Sequence, residues 1–507
     1  MKTPYLTKSR YIDGLRCEKK LWLGWHQRLP YEEALPFSVL DTGNRIGRGA
    51  CALFPGGVEV TEKPYEHVAA VAHTLELMAG DTPAIFEAAF EAHDIRIRVD
   101  ILERLEEGWG LREVKSSTEV SEKKYHVDDV AVQLYVLQGA GVDITSVELI
   151  HVNNTYRLES GGVVWPEMLI RRDLTLEAND RLAQVADKVP KLFEVLALDE
   201  APEVYATKSL CAKPYRCDYF DHCMAAKPQD WTGLLYRIHP NRLAALHAQG
   251  IESIPDIPED FKLPDKQALA LDCLASGEIW VSEDLADALR ALGPPAFYMD
   301  FETMAPGIPA YVGTRPYETV PFQFSVHYID EDGVLTHTAY LAEGDVHPGR
   351  EFAQELIAAM DRADVPVVVY NESFELGVLG ALCEMFPDLA EDLGAIMKNV
   401  VDLLPVVRDR VCHPGFITKR SLDAGTYSIK NVLPALVPSM SYADLDGVAE
   451  GGEASRVFAA IVHGVYTGRE ADDYRQQLLD YCEQDTLAMV EIQKVLVALC
   501  GADSPSA

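Results

Sequence analysis

The sequence predicts an α/β protein with two sheet-bearing domains separated by a helical connector. Three observations lead there. A length of 507 residues exceeds what one hydrophobic core serves, and 48% hydrophobic residues is ample for two cores. Residues 85–117 and the stretch "AFYMDFET" alternate apolar and polar side chains at the period of a half-buried strand, with helical patterns nearby. Between them, residues 224–295 place apolar side chains at helical spacing, broken by Pro and Gly. The resulting division is 1–225, a connector 226–290, a second domain 291–500 and a tail 501–507, "GADSPSA", expected to be disordered. Within the connector, "LAALHAQGIESIPDI" reads as helix, Gly turn, helix, or as a plain linker.

Composition narrows the partners. The net charge is −35, from 80 acidic and 45 basic residues, so the chain as a whole repels polyanions. Binding to nucleic acid then needs local basic clusters and metal ions; the acidity itself is accounted for by solubility or a salty cytoplasm. The start "MKTPYLTKSRYIDGLRC" lacks the apolar run of a secretory signal, and no stretch reaches the roughly 20 apolar residues of a membrane span. With ten cysteines this predicts a cytoplasmic protein, without a membrane partner, whose thiols are buried or bind metal.

In the first domain, "IFEAAFEAHDIRIRVDILERLEEGWGLREVKSS" reads as three strands joined by short turns. Ile95, Ile97, Val99 and Ile101 form one face; Arg96, Arg98 and Asp100 form the other. Glu113 and Lys115 lie two apart and share a side, and Glu87 points away from the apolar face of its own strand. Three carboxylates and a lysine on one face suit phosphodiester hydrolysis. Carboxylate oxygens hold Mg²⁺ or Mn²⁺, and a lysine orients water or offsets phosphate charge. The alternative is a solvated face of a sheet.

"RVDIL", "REVKSS" and "VDDVAVQLYVL" together resemble the PD-(D/E)XK nucleases of the RecB-like type, a restriction-endonuclease-like fold. The resemblance implies Asp100, Glu113 and Lys115 as catalytic residues, with Asp100 and Glu113 holding the metal. It adds Glu87 as helper and Gln133 on the supporting helix. Leu137 stands where that helix often has Tyr; the nearest tyrosine is Tyr135.

Cysteines concentrate in "LCAKPYRCDYFDHC", where Cys211, Cys217 and Cys223 are separated by five residues each. Cys17 stands alone in "SRYIDGLRCEKKLWLGW". One cysteine before the nuclease core and three after it resemble a RecB-like subgroup that includes CRISPR-adaptation nucleases and the nuclease half of AddAB-type helicases. That resemblance implies a 4Fe–4S cluster on Cys17, Cys211, Cys217 and Cys223, stapling the two ends of the domain. Thiolates alone fit zinc as well. The other six cysteines read as buried and unligated.

In the second domain, Phe297, Met299 and Phe301 of "AFYMDFET" face one way, and Asp300 and Glu302 the other. "VPVVVYNESFELGVL" reads as a buried strand leading into a helix that carries Glu375 four residues after Asn371. In "LLDYCEQDTLAMVEI", Tyr481 and Asp485 lie four apart on one helical face. The three pieces in this order resemble the DEDD exonucleases of the RNase H-like fold, in the subgroup with a tyrosine. The resemblance implies two Mg²⁺ or Mn²⁺ ions on Asp300, Glu302, Glu375 and Asp485, with Tyr481 orienting the attacking water. Glu375 stands where the family usually has Asp, and Asp402 in "VVDLLPV" is the alternative ligand. Lys430 in "TYSIKNVLPAL" reads as a phosphate contact or a solvated loop residue.

The whole chain resembles a prokaryotic family that fuses two such nucleases. The expected activity is metal-dependent hydrolysis of DNA with single-stranded character or at ends, in repair or defence. One rival has only the C-terminal domain cutting, DNA or RNA, while the first domain grips nucleic acid. Another is a non-catalytic binding or assembly module. "GxxxxGK[ST]" is absent, so unwinding would need a helicase partner.

Overall fold

The computed structural model describes residues 4–30, 33–362, 364–422, 424–442, 445, 447–448 and 450–502. It is a mixed α/β protein in two compact units. The first comprises Met1–Val204 with Pro306–Glu318; the second comprises Tyr205–Ala305 with Thr319–Ala507. Of the expected tail, Gly501 and Ala502 end a helix, and 503–507 lie outside the described residues. Among the described residues, no helix is long and apolar enough to cross a membrane.

The first unit is built on a seven-stranded sheet. Its centre is the meander read from sequence: Ala84–Ala92, Ile95–Arg104 and Trp109–Lys115, each antiparallel to the next. Trp109–Lys115 continues through helix His126–Gly139 to Ile144–Val152, which pairs with it in parallel, because a crossover of this length carries the chain back to the same end. Ile95, Ile97, Val99 and Ile101 are buried, as their alternation requires. His126–Gly139 is apolar nearly all round, Val127, Val130, Ala131, Val132, Leu134, Val136 and Leu137 being buried, so its polar members are held inside the unit. Leu6–Thr7 adds a short parallel strand beside Ile95–Arg104. Thr7 then caps helix Lys8–Arg16 by accepting from the Arg10 N–H at 3.2 Å.

The second unit carries a five-stranded sheet in the order Leu335–Leu341, Val320–Ile329, Ala296–Met304, Val367–Val369, Val400–Asp402. The first three strands run antiparallel; the last two are parallel additions. Phe297, Met299 and Phe301 join a core with Phe324, Phe352 and Leu379 on one face. The other face meets the 34-residue helix Arg469–Ala502. Residues of the expected connector pack within this unit. Trp280–Val281 pairs with Val411–Cys412, and Lys266 bonds Asp409 at 2.5 Å. The expected helix–turn–helix there is a helix, Pro240–His247, a turn at Gly250 (φ 75°) and a single 3₁₀ turn, Ile254–Asp256.

Candidate functional sites

In the first unit, the sheet and one buried helix bring Asp100, Glu113, Lys115 and Gln133 together. Lys115 donates to Glu113 at 2.6 Å and to Asp129 at 2.5 Å. Gln133 donates to the other Glu113 oxygen at 2.8 Å and to Asp129 at 3.1 Å. Asp100 accepts from the Val114 N–H at 2.8 Å. Sequence reasoning missed two members. Lys8 donates to Glu113 at 2.7 Å and lies 3.6 Å from Asp129. Asp129 was visible four residues before Gln133 on the same helical face; nothing near Lys8 in sequence announces it, since a two-residue strand and a Thr cap deliver it.

The electrostatics divide the two carboxylates. Burial and the neighbouring Glu113 charge push Asp100 up to about 7. Burial would also raise Glu113, but Lys115 and Lys8 outweigh it and hold that carboxyl well below its usual range. Both lysines are held charged by the carboxylates despite burial. Glu87 stands opposite Asp100 in the unbroken register of the ladder, between the pairs Phe86–Ile101 and Ala88–Val99, with φ of 56° and an exposed side chain. Tyr135 stacks on His93 at 4.5 Å.

In the second unit, strand alternation turns Asp300 and Glu302 toward helix Arg469–Ala502. Ligand oxygens of Asp300, Glu302 and Asp485 lie within 4.8 Å of one another. They line a cavity of about 250 Å³ with Tyr481, Lys430 and Tyr370. Lys430 sits over the Tyr481 ring at 4.9 Å and over the Tyr442 ring at 5.4 Å. Tyr442, absent from the sequence reading, donates its hydroxyl to Asp485. Cys482, read as merely buried, is fully buried with Sγ 3.9 Å from Asp300 Oδ2.

Glu375 is 2% exposed in the first turn of helix Glu372–Met385, and its Oε2 has no hydrogen-bond partner. Asp402, the alternative ligand, is engaged elsewhere. It accepts from the backbone N–H groups of Asn371 (2.9 Å), Glu372 (3.3 Å) and Leu404 (2.9 Å). It thereby caps one helix and fixes the left-handed Asn371 (φ 88°) that starts another. The geometry thus puts the unsatisfied oxygen on Glu375 and the satisfied ones on Asp402.

This cluster carries more negative charge than its surroundings compensate. Burial raises Asp300 well above its ordinary value, reinforced by Asp485, Glu302 and Glu375. Burial and Asp485 push Glu302 up to about 8. Burial, with Asp402 adding, takes Glu375 to about 8. Burial takes Asp485 to about 6, with Tyr442 and Lys430 opposing it. Burial and the carboxylates keep the Tyr481 phenol protonated. Such a set either binds protons or has its charge offset by a cation.

The cysteines of the expected cluster are placed as follows. Cys17 is half-buried between helices Lys8–Arg16 and Glu18–His26 of the first unit. In the second unit, the Cys217 N–H donates to the Cys211 carbonyl at 2.7 Å, closing the loop between them. Cys223 follows on helix Phe220–Ala225, its N–H bonded to the Tyr219 carbonyl at 3.0 Å. Cys217 is buried, Cys211 and Cys223 half-buried.

A family model described as a domain of unknown function (DUF2779) matches residues 297–421. The match spans Asp300, Glu302, Glu375 and Asp402, and stops before Tyr481 and Asp485. No curated protein matches the chain.

Proposed function

We propose that this protein is a divalent-metal-dependent nuclease with two phosphodiesterase sites acting on DNA. The observation that carries the reading is the carboxylate cluster of the second unit. Ligand oxygens of Asp300, Glu302 and Asp485 converge within 4.8 Å around a cavity, and the buried Glu375, whose Oε2 is orphaned, adds to the negative charge felt by Asp300. Their placement on strand, helix start and helix supports the likeness to RNase H-like DEDD exonucleases. Asp300, Glu302, Glu375 and Asp485 would hold Mg²⁺ or Mn²⁺. Bound there, the ions supply a nucleophilic water at neutral pH and stabilise charge on the leaving oxygen. Tyr481, a neutral phenol, positions the attacking water by hydrogen bonding, and Lys430 meets the phosphate.

For the first unit, we read the Asp100, Glu113, Lys115 and Gln133 constellation as a PD-(D/E)XK site of a restriction-endonuclease-like domain. Asp100 and Glu113 would hold the metal. Lys115, bonded to both Glu113 and Asp129, is fixed in orientation and orients water or offsets phosphate charge. Cys211, Cys217 and Cys223 follow one another on one short segment, and thiolates are the ligands that an iron–sulfur or zinc centre takes. The resemblance makes it a 4Fe–4S cluster with Cys17 as fourth ligand, a structural staple rather than a reacting group. Repair or defence, alongside a helicase partner, and a cytoplasmic setting remain part of this reading.

The test is cleavage of 5′-labelled single-stranded DNA, and RNA, in Mn²⁺ by anaerobically purified protein. Wild type should degrade DNA. Asp300→Ala should remove one product series and Lys115→Ala a separate one. If all three proteins leave both substrates intact, the nuclease reading fails.

A further inference from the structure

We infer that the second unit holds a strand-binding groove for single-stranded nucleic acid, one wall of which comes from the segment carrying the cysteines. It lies beside the carboxylate cavity and rests on the nuclease reading for its purpose. The groove encloses about 840 Å³ between residues 206–238 on one side and residues 370–429 on the other. Among the described residues, its charged lining side chains are Lys208, Lys213, Arg237 and Arg408, all basic. In a chain of net charge −35, that selection of sign marks a site for an anion. Arg408 is paired with Asp409 at 2.7 Å, whereas Lys208 and Arg237 present exposed side chains. Lys208 Nζ reaches across the groove to within 3.5 Å of where a Cβ would stand on Gly425.

Aromatic faces accompany the cations. Tyr236 and Tyr427 pack edge to face at 5.3 Å, one from each wall, and Arg237 lies over the Tyr236 ring at 5.1 Å. A cationic trough with stacking rings is the physical recipe for an unpaired strand, since every base has a π-face. Tyr370 and Ile429 line both this groove and the carboxylate cavity, so the two spaces adjoin. A strand lying over Lys208, Arg237 and Tyr236 therefore leads its scissile phosphate toward Asp300 and Lys430.

The experiment measures anisotropy of short fluorescein-labelled single-stranded DNA and RNA, and of duplex DNA, in EDTA across a salt series. Wild type is compared with Lys208→Gln/Arg237→Gln and, as a second variant, Tyr236→Leu. A small diester, bis(4-nitrophenyl) phosphate, with Mn²⁺ reports the carboxylate cluster without the groove. The groove predicts at least tenfold weaker single-strand binding by the double variant and a salt slope smaller by about 1.4, since each phosphate contact on a single strand contributes about 0.7. Diester hydrolysis stays at the wild-type rate. Unchanged single-strand affinity overturns the groove, and an equal loss on duplex overturns its preference for single strands. If wild type hydrolyses neither diester nor oligonucleotide while the double variant still loses binding, the nuclease reading falls and the groove stands.

Discussion

Replacing Glu302 by Gln should stabilise the metal-free protein, and increasingly so as pH rises. Glu302 is 7% exposed, and burial together with Asp485 pushes its carboxyl up to about 8. In the unfolded chain it titrates near its ordinary value. A group raised on folding contributes stability that is complete below the unfolded value and lost as pH rises through the folded one. Between pH 5 and 7 the unfolded chain releases this proton while the folded protein keeps it. That difference removes about 2–3 kcal/mol of stability from wild type. Glutamine has the same shape and no proton to lose. For a unit of this size, about 2 °C of melting temperature accompanies each kcal/mol. The gap between Glu302→Gln and wild type should therefore widen by roughly 5 °C from pH 5 to pH 7. Differential scanning calorimetry in EDTA reads it directly. Mn²⁺ should raise the wild-type transition at pH 7 and move the variant much less. A gap that stays constant or narrows with rising pH would refute the charge-loaded cluster on which the proposed metal site rests.

Glu375→Gln should weaken Mn²⁺ binding measured by calorimetric titration without lowering the melting temperature. Asp402→Asn should do the reverse, costing about 1–2 kcal/mol through its lost helix-capping bonds while leaving Mn²⁺ affinity intact. In the first unit, Lys115→Ala removes a partner from Glu113, which is 1% exposed. A loss of about 3–5 kcal/mol in chemical denaturation is expected, and combining it with Lys8→Ala should depart from additivity. Protein isolated without oxygen should contain iron and acid-labile sulfide. Cys217→Ser should lose most of both, whereas Cys383→Ser should lose neither; zinc in place of iron would redirect the assignment.

Much of the arrangement was legible locally. Period-two alternation in "AFYMDFET" assigned Phe297, Met299 and Phe301 to one face and Asp300 and Glu302 to the other, and the sheet keeps that division. The helical spacing of Tyr481 and Asp485 put both into the same cavity. The strand reading of 85–117 matched the meander, because short turns leave antiparallel neighbours little choice of partner. Six cysteines were read as inert, yet Cys482 lies against Asp300; a thiol on a buried helix face carries no local sign of what faces it.

The periodicity of the chain determined which side chains share a face, since strand and helix geometry act over two to four residues. It named the carboxylates, the lysine beside Glu113 and the phenol beside Asp485. Only the tertiary structure decided which distant groups answer them. Lys8 comes to Glu113 from 105 positions away, and Tyr442 to Asp485 from 43. It also decided that Asp402 spends its oxygens on helix caps while Glu375 keeps one unpaired. The reason is physical: direction is set by local backbone dihedrals, whereas proximity, burial and the resulting shifts of charge are set by packing among segments that have no sequence relation to one another.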